Sequence, residues 1–244
     1  MNDSGSTAIV TGGGKRVGEA IVRALLDDGW NVIAHVHHDA DTVADGAVKA
    51  VADLEKRDCA DRIFESANGF PPVRLLVNNA ARFVFDEFGQ ASAELFDAHM
   101  AVNARAPMLL IDEMARRHQG GNALVVNLLD AKLPAPNPDF LSYTLSKYAL
   151  GGLTELAARA LAEKGIRVNA IAPALMLPSG EQGAANFAAV HGLNPLERGI
   201  EVADVVSAIR YLIDSSGMTG QTLVLDGGQR FMGLARDVQF LEMK

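Results

Sequence analysis

The chain has 244 residues, of which 49% are hydrophobic and 21% charged, and this composition predicts one domain, 1–244, with a large buried core. The formal charge of −8 argues against nucleic acid as the main partner, because phosphate binding requires a basic face. The single cysteine, Cys59, excludes an intramolecular disulfide framework and is typical of a reducing compartment. Residues 1–6 do not resemble a signal peptide, and no apolar run approaches the ~18–20 residues that cross a bilayer. We therefore expect a cytoplasmic protein without a membrane partner.

A short apolar segment runs into a glycine-rich turn near residue 12. Thr7–Thr11 is predicted to form the first strand, and Val17–Leu26 has the spacing of a helix. In such a unit the glycines let the backbone approach a pyrophosphate, which the positive end of the helix dipole attracts. Val17 stands where the dinucleotide-binding pattern has its last glycine, and a plain strand–helix turn is the alternative. The predicted cofactor contacts here are Gly12, Lys15, Arg16 and Val17.

The second predicted strand, Trp30–His35, is followed by His37, His38 and only then by Asp39. An acidic residue near the end of this strand holds the ribose hydroxyls of NAD. Its absence, with imidazoles here and two basic residues in the glycine turn, indicates a 2′-phosphate and therefore NADP. A metal site built from the three histidines is the alternative, but strand alternation separates their side chains. We predict cofactor contacts from His37 and His38.

Apolar segments that alternate with helical ones predict an α/β fold, a Rossmann-type doubly wound parallel sheet with helices on both faces. Ligands of such sheets bind beyond the carboxyl ends of the strands. Asp53, Leu54, Asn79 and Ala80 fall at such ends and are predicted to contact the cofactor. The remaining predicted strands are Lys49–Leu54, Val73–Val77, Ala123–Leu129, Ile166–Ala172 and Thr222–Leu225.

The connections contain further predicted helices at Asp58–Ser66 and Glu201–Ile213, and a long helical stretch at Ala93–Arg117 that Asn103 and Pro107 interrupt. Asn103 is a polar residue among apolar neighbours in the long helical stretch. Segment 174–199 has little periodicity and is long for a plain connection, so we predict that it is a substrate loop.

Tyr143 and Lys147 are four residues apart at the start of an apolar helical run. At this spacing both side chains lie on one helix face and can reach the same ligand. A nearby cation favours the phenolate and lowers the pKa of a tyrosine, so Tyr143 is a candidate proton donor. A surface pair without function is the alternative on spacing alone.

Together these features resemble the short-chain dehydrogenase/reductase family, from about Thr7 to Gly228. The resemblance implies a seven-stranded Rossmann sheet, a nicotinamide cofactor that Pro173 also contacts, and a homotetramer or homodimer. It further implies that Tyr143 donates the proton, that Lys147 holds the nicotinamide ribose, and that Asn103 anchors a water in the proton relay. The markers are Thr11-Gly12…Gly18, Asp53-Leu54, Asn78-Asn79-Ala80, Asn103, Tyr143-x-x-x-Lys147, Ile171-Ala172-Pro173 and Asp226-Gly227-Gly228.

Two departures from the family pattern are similar to pteridine reductases. Arg16 replaces the middle glycine of the loop, and Asp130 replaces the usual serine thirteen residues before Tyr143. Phe83 matches the aromatic residue that stacks on the pterin, whereas His38 and Asp39 replace the Arg and Ser of that branch. The resemblance implies an NADPH-dependent reductase of dihydropterins or dihydrofolate. The implied substrate contacts are Arg16, Phe83, Asp130, Tyr143 and Leu175.

The carboxylate of Asp130 independently favours reduction of a C=N bond. A ketone develops alkoxide charge that a carboxylate repels, whereas a protonated imine is stabilised by it. A strand-end aspartate that caps the next turn is the alternative interpretation. A ketone reductase and a catalytically idle binding protein of the same fold remain the competing functions.

Overall fold

The computed structural model describes residues 5–179 and 182–241. Its centre is a seven-stranded sheet in the order β3-β2-β1-β4-β5-β6-β7, with every neighbouring pair parallel. The predicted doubly wound fold is confirmed, with small shifts at the strand ends. The strands are β1 Thr7–Val10, β2 Asn31–Val36, β3 Val48–Val51, β4 Val73–Asn78, β5 Ala123–Leu128, β6 Ile166–Pro173 and β7 Thr222–Leu225.

Helices cover both faces of the sheet because each strand has apolar side chains on both sides. Along β1, Ile9 packs in one core with residues such as Ile63 and Leu110. Ala8 and Val10 pack in the other core, on the opposite face of the sheet, with residues such as Ile21 and Leu212. None of the helices in the described ranges is long and apolar enough to cross a membrane. The helices are α1 Arg16–Asp27, α2 Cys59–Glu65, α3 Ala93–Met100, α4 Ala106–Arg117, α5 Leu141–Leu161, α6 Ala184–Val190 and α7 Val202–Asp214.

The helical stretch 93–117 is interrupted at the first of the two predicted positions. A π-helical turn at Ala101–Arg105 separates α3 from α4, whereas Pro107 lies in the first turn of α4. π-Helical turns often occur at functional sites, and this one contains Asn103. Segment 174–199 contains the short helix α6, whose mostly small residues gave no clear apolar periodicity.

The ends of β1 and β4 are tied together beside the crevice where the strand order reverses. The Thr11 hydroxyl accepts hydrogen bonds from the backbone N–H groups of Asn79 and Ala80, each at 3.0 Å. The Asn79 side chain donates to the Thr11 carbonyl at 2.8 Å. Open α/β sheets bind their ligands at this point, so these bonds fix the floor of the candidate site.

Candidate active site

The glycine-rich turn brings backbone atoms closer together than side chains would permit. Gly12 has a φ of +64°, and a Cβ on Gly18 would lie 2.0 Å from the Gly12 carbonyl oxygen. A Cβ on Gly14 would lie 2.6 Å from the Thr42 carbonyl oxygen. The turn therefore presents bare backbone at the N-terminus of α1, as a pyrophosphate site requires.

His35 supports this turn through both of its ring nitrogens. Its Nδ1 accepts a hydrogen bond from the Gly12 N–H at 3.1 Å, and its Nε2 lies 3.0 Å from the Ala52 carbonyl oxygen. This arrangement requires a neutral ring that donates from Nε2, and burial lowers the pKa of His35 accordingly. The metal alternative, which needed all three histidines, is therefore wrong, and His35 is not available for a phosphate.

A cavity of about 760 Å³ extends from the glycine turn over the end of β2. The His37 and His38 rings stack on each other with centroids 4.1 Å apart, although strand alternation predicted opposite sides, because β2 has already ended at Val36. The bare backbone of the turn and this elongated cavity fit the adenosine and pyrophosphate parts of a dinucleotide. The predicted cofactor residues in its lining are Gly12, Lys15, Arg16, Val17, His37, His38, Asp53, Leu54, Asn79 and Ala80.

A second cavity of about 460 Å³ adjoins the first and is lined by three of the four predicted catalytic residues, Asp130, Tyr143 and Lys147, whereas Asn103 lines neither cavity. The Tyr143 hydroxyl donates a hydrogen bond to Oδ2 of Asp130 at 2.8 Å. The other oxygen of Asp130 accepts from the Lys132 N–H at 2.9 Å, so the carboxylate caps a turn and also reaches Tyr143. Lys147 lies in the same lining, and its Nζ donates to the Leu128 carbonyl at 2.6 Å. Pro173 and Leu175 line this cavity as well.

The expected lowering of the Tyr143 pKa is wrong for this structure. Burial, followed by the charge and hydrogen bond of Asp130, holds the pKa of Tyr143 well above its usual range. Burial also lowers the pKa of Lys147 to about 8, and Asp130 partly opposes this shift. The cation is present, with Nζ 5.6 Å from the centre of the Tyr143 ring, but desolvation outweighs it. Tyr143 is therefore a protonated phenol at neutral pH.

Asn103 ties the site together through its side chain. Its Oδ1 accepts from the Arg82 N–H at 2.7 Å, and its Nδ2 donates to the Arg82 carbonyl and the Ser146 hydroxyl, each at 2.9 Å. These bonds hold the loop after β4 against α5, at the residue directly before Lys147. The role in a water relay that the resemblance implies stays a prediction.

Phe83 is part of an aromatic wall on one side of the smaller cavity. Its ring stacks on Phe140 at 4.2 Å and meets the Tyr143 ring edge-on at 4.6 Å. Phe140, at the start of α5, has the left-handed φ of 54°, which is uncommon for a bulky residue and is often found at functional sites. Phe83 remains 37% exposed, so part of its ring is open to a ligand.

Arg16 connects the two cavities, since it lines both of them. Its backbone has a φ of 53°, which the usual glycine at this position would adopt without strain. Its guanidinium donates to the Pro178 carbonyl at 2.8 Å and so joins the glycine turn to segment 174–179.

Sequence reasoning missed the C-terminal segment 229–241, which returns to the smaller cavity. Asp237, Val238 and Gln239 from this segment line the cavity together with residues of the β5–α5 connection such as Lys132. The segment follows the last recognisable motif of the chain, and its residues show no helical or strand periodicity, so no signal in the sequence connected it with the site.

Comparison with known protein families shows to which family the chain belongs. A family model described as Enoyl-(Acyl carrier protein) reductase matches residues 14–230. The chain belongs to the short-chain dehydrogenase/reductase family. Family membership makes it an oxidoreductase that uses a nicotinamide dinucleotide, in agreement with the two adjoining cavities. The family's frequent dimers and tetramers stay a prediction for this chain.

Individual members of the family differ in what their names say they act on. 3beta-hydroxysteroid dehydrogenase 1 of Eggerthella lenta is 34% identical over 92% of this chain and 93% of its own. Dihydromonapterin reductase of Shigella boydii is 26% identical over 91% of this chain and 95% of its own. The crystal structure of FolM alternative dihydrofolate reductase 1 from Brucella suis, in complex with NADP, matches with a TM-score of 0.86 at 35% identity and covers 93% of this chain and 96% of its own. Membership of the family alone therefore leaves the substrate open.

Proposed function

We propose that this protein is an NADPH-dependent reductase of dihydropterins or dihydrofolate. The observation that carries the proposal is the hydrogen bond from Tyr143 to Asp130 in a cavity walled by Phe83. A carboxylate at this position repels a developing alkoxide and stabilises a protonated imine. Dihydropterins contain such a C=N bond in a flat ring system, and two relatives are named for dihydromonapterin and dihydrofolate reduction.

In this mechanism Asp130 and Tyr143 form a coupled proton source for the substrate nitrogen. Tyr143 holds its proton at neutral pH because burial and Asp130 raise its pKa. Lys147 places a positive charge beside the phenol and lowers the energy of the charge left when the proton departs. Bound NADPH supplies the hydride to the adjacent carbon. We also assign Lys147 to the nicotinamide ribose, as the resemblance implies.

The substrate ring would lie against Phe83, with Phe140 behind it as a rigid support. Offset stacking of a heterocycle on an aromatic ring contributes about 0.5–1.5 kcal/mol beyond burial. Leu175 lines the same cavity, and Arg16 fixes the start of segment 174–199 through Pro178. We therefore assign that segment as the substrate loop.

We propose NADPH as the preferred cofactor, because Lys15, Arg16, His37 and His38 line the adenosine end of the larger cavity. These groups can donate charge-assisted hydrogen bonds to a 2′-phosphate. Each such bond contributes ~1.5–3 kcal/mol, so kcat/KM should favour NADPH over NADH by about tenfold or more. Steady-state rates with both cofactors at pH 6 provide the measurement. Comparable values would contradict this choice.

Asp130→Ser tests the proposed reaction directly. Serine is the residue typical of ketone reductases, and it can still cap the Lys132 N–H, so the fold should persist. Loss of one general acid–base group lowers dihydropterin turnover by on the order of 10²-fold. Single-turnover oxidation of bound NADPH measures this loss, with dihydrofolate and simple ketones assayed in parallel. Tyr143→Phe, the companion variant, should be at least as damaging.

Full dihydropterin activity in Asp130→Ser would show that the reaction does not need the carboxylate and would contradict the argument for a C=N substrate. Wild-type activity on ketones but not on any dihydropterin would make the protein a ketone reductase. Absence of NADPH oxidation with every substrate would favour the idle binding protein.

A further inference from the structure

The C-terminal segment 229–241 is fixed to the rim of the smaller cavity by ionic and apolar contacts. Arg236 donates from Nε to both oxygens of Asp139, at 2.8 and 2.9 Å, and the Asp237 N–H donates to the same carboxylate at 2.7 Å. The Asp139 side chain is 2% exposed and that of Arg236 is 50% exposed, so the carboxylate of this pair is shielded from water and the guanidinium is not. Phe240 packs near Phe140, the support of the aromatic wall, with ring centroids 5.8 Å apart.

This attachment places the carboxyl group of Asp237 in the lining of the cavity. Its Oδ1 accepts from the Gln239 N–H at 3.3 Å, which fixes the orientation of the group. Its Oδ2 lies 4.0 Å from the ammonium of Lys132, too far for a direct hydrogen bond. Lys132 instead donates to the Asp139 carbonyl and so belongs to the attachment.

The smaller cavity therefore contains two carboxyl groups with different surroundings. Asp130 accepts hydrogen bonds from the Tyr143 hydroxyl and from the Lys132 N–H of the turn that it caps. Asp237 comes from the C-terminal segment, lines the same cavity and is near enough for its charge to affect both Asp130 and Tyr143. A carboxyl group in the lining of a cavity with an aromatic wall suits a flat ligand that has N–H donors on its non-reacting edge.

We propose that Asp237 is the specificity-determining residue of this site and binds the aminopyrimidine edge of a pterin or folate ring. This proposal rests on the proposed function, since that edge carries the ring N–H and the 2-amino group. Adjacent N–H donors match the two oxygens of a carboxylate and form charge-assisted hydrogen bonds with it. Steroid and sugar ketones lack this edge, so Asp237 would discriminate between substrate classes.

A structural role for Asp237 is the competing explanation. In that case its charge only balances Lys132 and keeps segment 229–241 in place. Loss of the charge would then lower the melting temperature and leave the choice between ligands unchanged. Ligand selectivity is therefore the measurement that separates the two roles.

The test compares Asp237→Asn with the wild type in binding of pterin and of its 2-oxo analogue, lumazine, to enzyme saturated with NADP⁺. Asparagine preserves the shape and the contact with Gln239 but loses the charge and turns an N–H₂ toward the ligand. Titration calorimetry should show pterin affinity falling by about 10- to 100-fold, the effect of losing a hydrogen bond to a charged group. Lumazine affinity should change much less. Asp45→Asn, an exposed carboxyl outside both cavity linings, is the matched control and should change neither value.

Asp237→Glu, which keeps a carboxylate, should lose less pterin affinity than Asp237→Asn. Equal losses in the two variants, or equal losses for pterin and lumazine, would overturn the proposal. If Asp237→Asn melts below the assay temperature, Asp237→Ser is compared in the same way.

Failure of this inference is distinguishable from failure of the proposed function. A wild-type enzyme that reduces dihydropterins, with unchanged pterin binding in Asp237→Asn, overturns the role of Asp237 alone. A wild-type enzyme that neither binds nor reduces any pterin overturns both.

Discussion

The two cavities are built in different ways. The larger one is formed by the glycine turn and by residues at the ends of β1, β2, β3 and β4, and backbone atoms of Gly12 and Asn79 bond to the side chains of His35 and Thr11 there. The smaller one is lined by residues from five separate parts of the chain. These parts are the start of α1, the loop after β4, the β5–α5 region, segment 174–179 and the C-terminal segment 229–241.

This difference separates what the family shares from what distinguishes its members. Backbone contacts at strand ends depend on the fold and hardly on side-chain identity, so one cofactor site serves many reductases. Side chains from loops decide what the neighbouring cavity accepts. Changes in the two cavities should therefore affect different binding constants.

The largest effect is expected in the cofactor cavity, from Gly18→Ala. The new Cβ would lie 2.0 Å from the Gly12 carbonyl oxygen, so the turn must open. Overpacking of this kind costs about 1–3 kcal/mol, and NADPH affinity should fall by up to about 10²-fold. Fluorescence titration with NADPH measures the dissociation constant of the cofactor. Gly152→Ala is the matched control, because a Cβ there meets no atom within 4 Å. An unchanged dissociation constant in Gly18→Ala would mean that close backbone approach does not control this site.

A smaller effect, on substrate KM instead of cofactor affinity, is expected from Phe83→Ala in the smaller cavity. Loss of the stacking surface should raise KM for the dihydropterin by about tenfold and leave NADPH affinity unchanged. Phe85→Ala removes a ring that also packs on Phe140 but is not in the cavity lining, so it controls for stability. Equal KM values for the two variants would show that Phe83 only packs within its loop and does not contact the substrate.

The smallest effect concerns Lys147, which lines the smaller cavity, and the pH dependence of stability that its pKa causes. Burial lowers its pKa from 10.5 to about 8 in the folded protein. Between these values the unfolded chain binds the extra proton, so the free energy of unfolding should rise with pH. Urea unfolding at about pH 7 and about pH 9.5 should show this rise in the wild type. Lys147→Met should lack much of it, whereas the exposed Lys56→Met should retain it. An identical rise in Lys147→Met would contradict the lowered pKa.

The sequence was sufficient to predict the fold and the cofactor cavity. Apolar strands and glycine spacing are local patterns, and Gly12, Asp53 and Asn79 lie at strand ends because the topology requires it. His35 was the exception. Its two hydrogen bonds depend on Gly12 and Ala52, which lie far from it in sequence, so its structural role was not readable from the strand pattern.

The substrate cavity was only partly predictable. Asp130, Tyr143 and Phe83 were found from motif positions, but the direction of the Tyr143 pKa was wrong, because spacing carries no information about burial. Phe140 and Asp237 were missed, since both depend on how loops close over the sheet. Loop closure is decided by tertiary packing, which short sequence patterns do not record.

The position of Asp237 has a consequence for how this enzyme could diversify. The family model matches residues 14–230, so the segment that carries Asp237 follows the matched region. It comes after the last strand, and its Arg236 and Asp237 donate hydrogen bonds to the carboxylate of Asp139. Mutations or insertions there leave strand pairing, the glycine turn and the Tyr143–Lys147 pair intact. With the role proposed for Asp237, selection could act on substrate choice almost independently of catalysis, through segment 229–241.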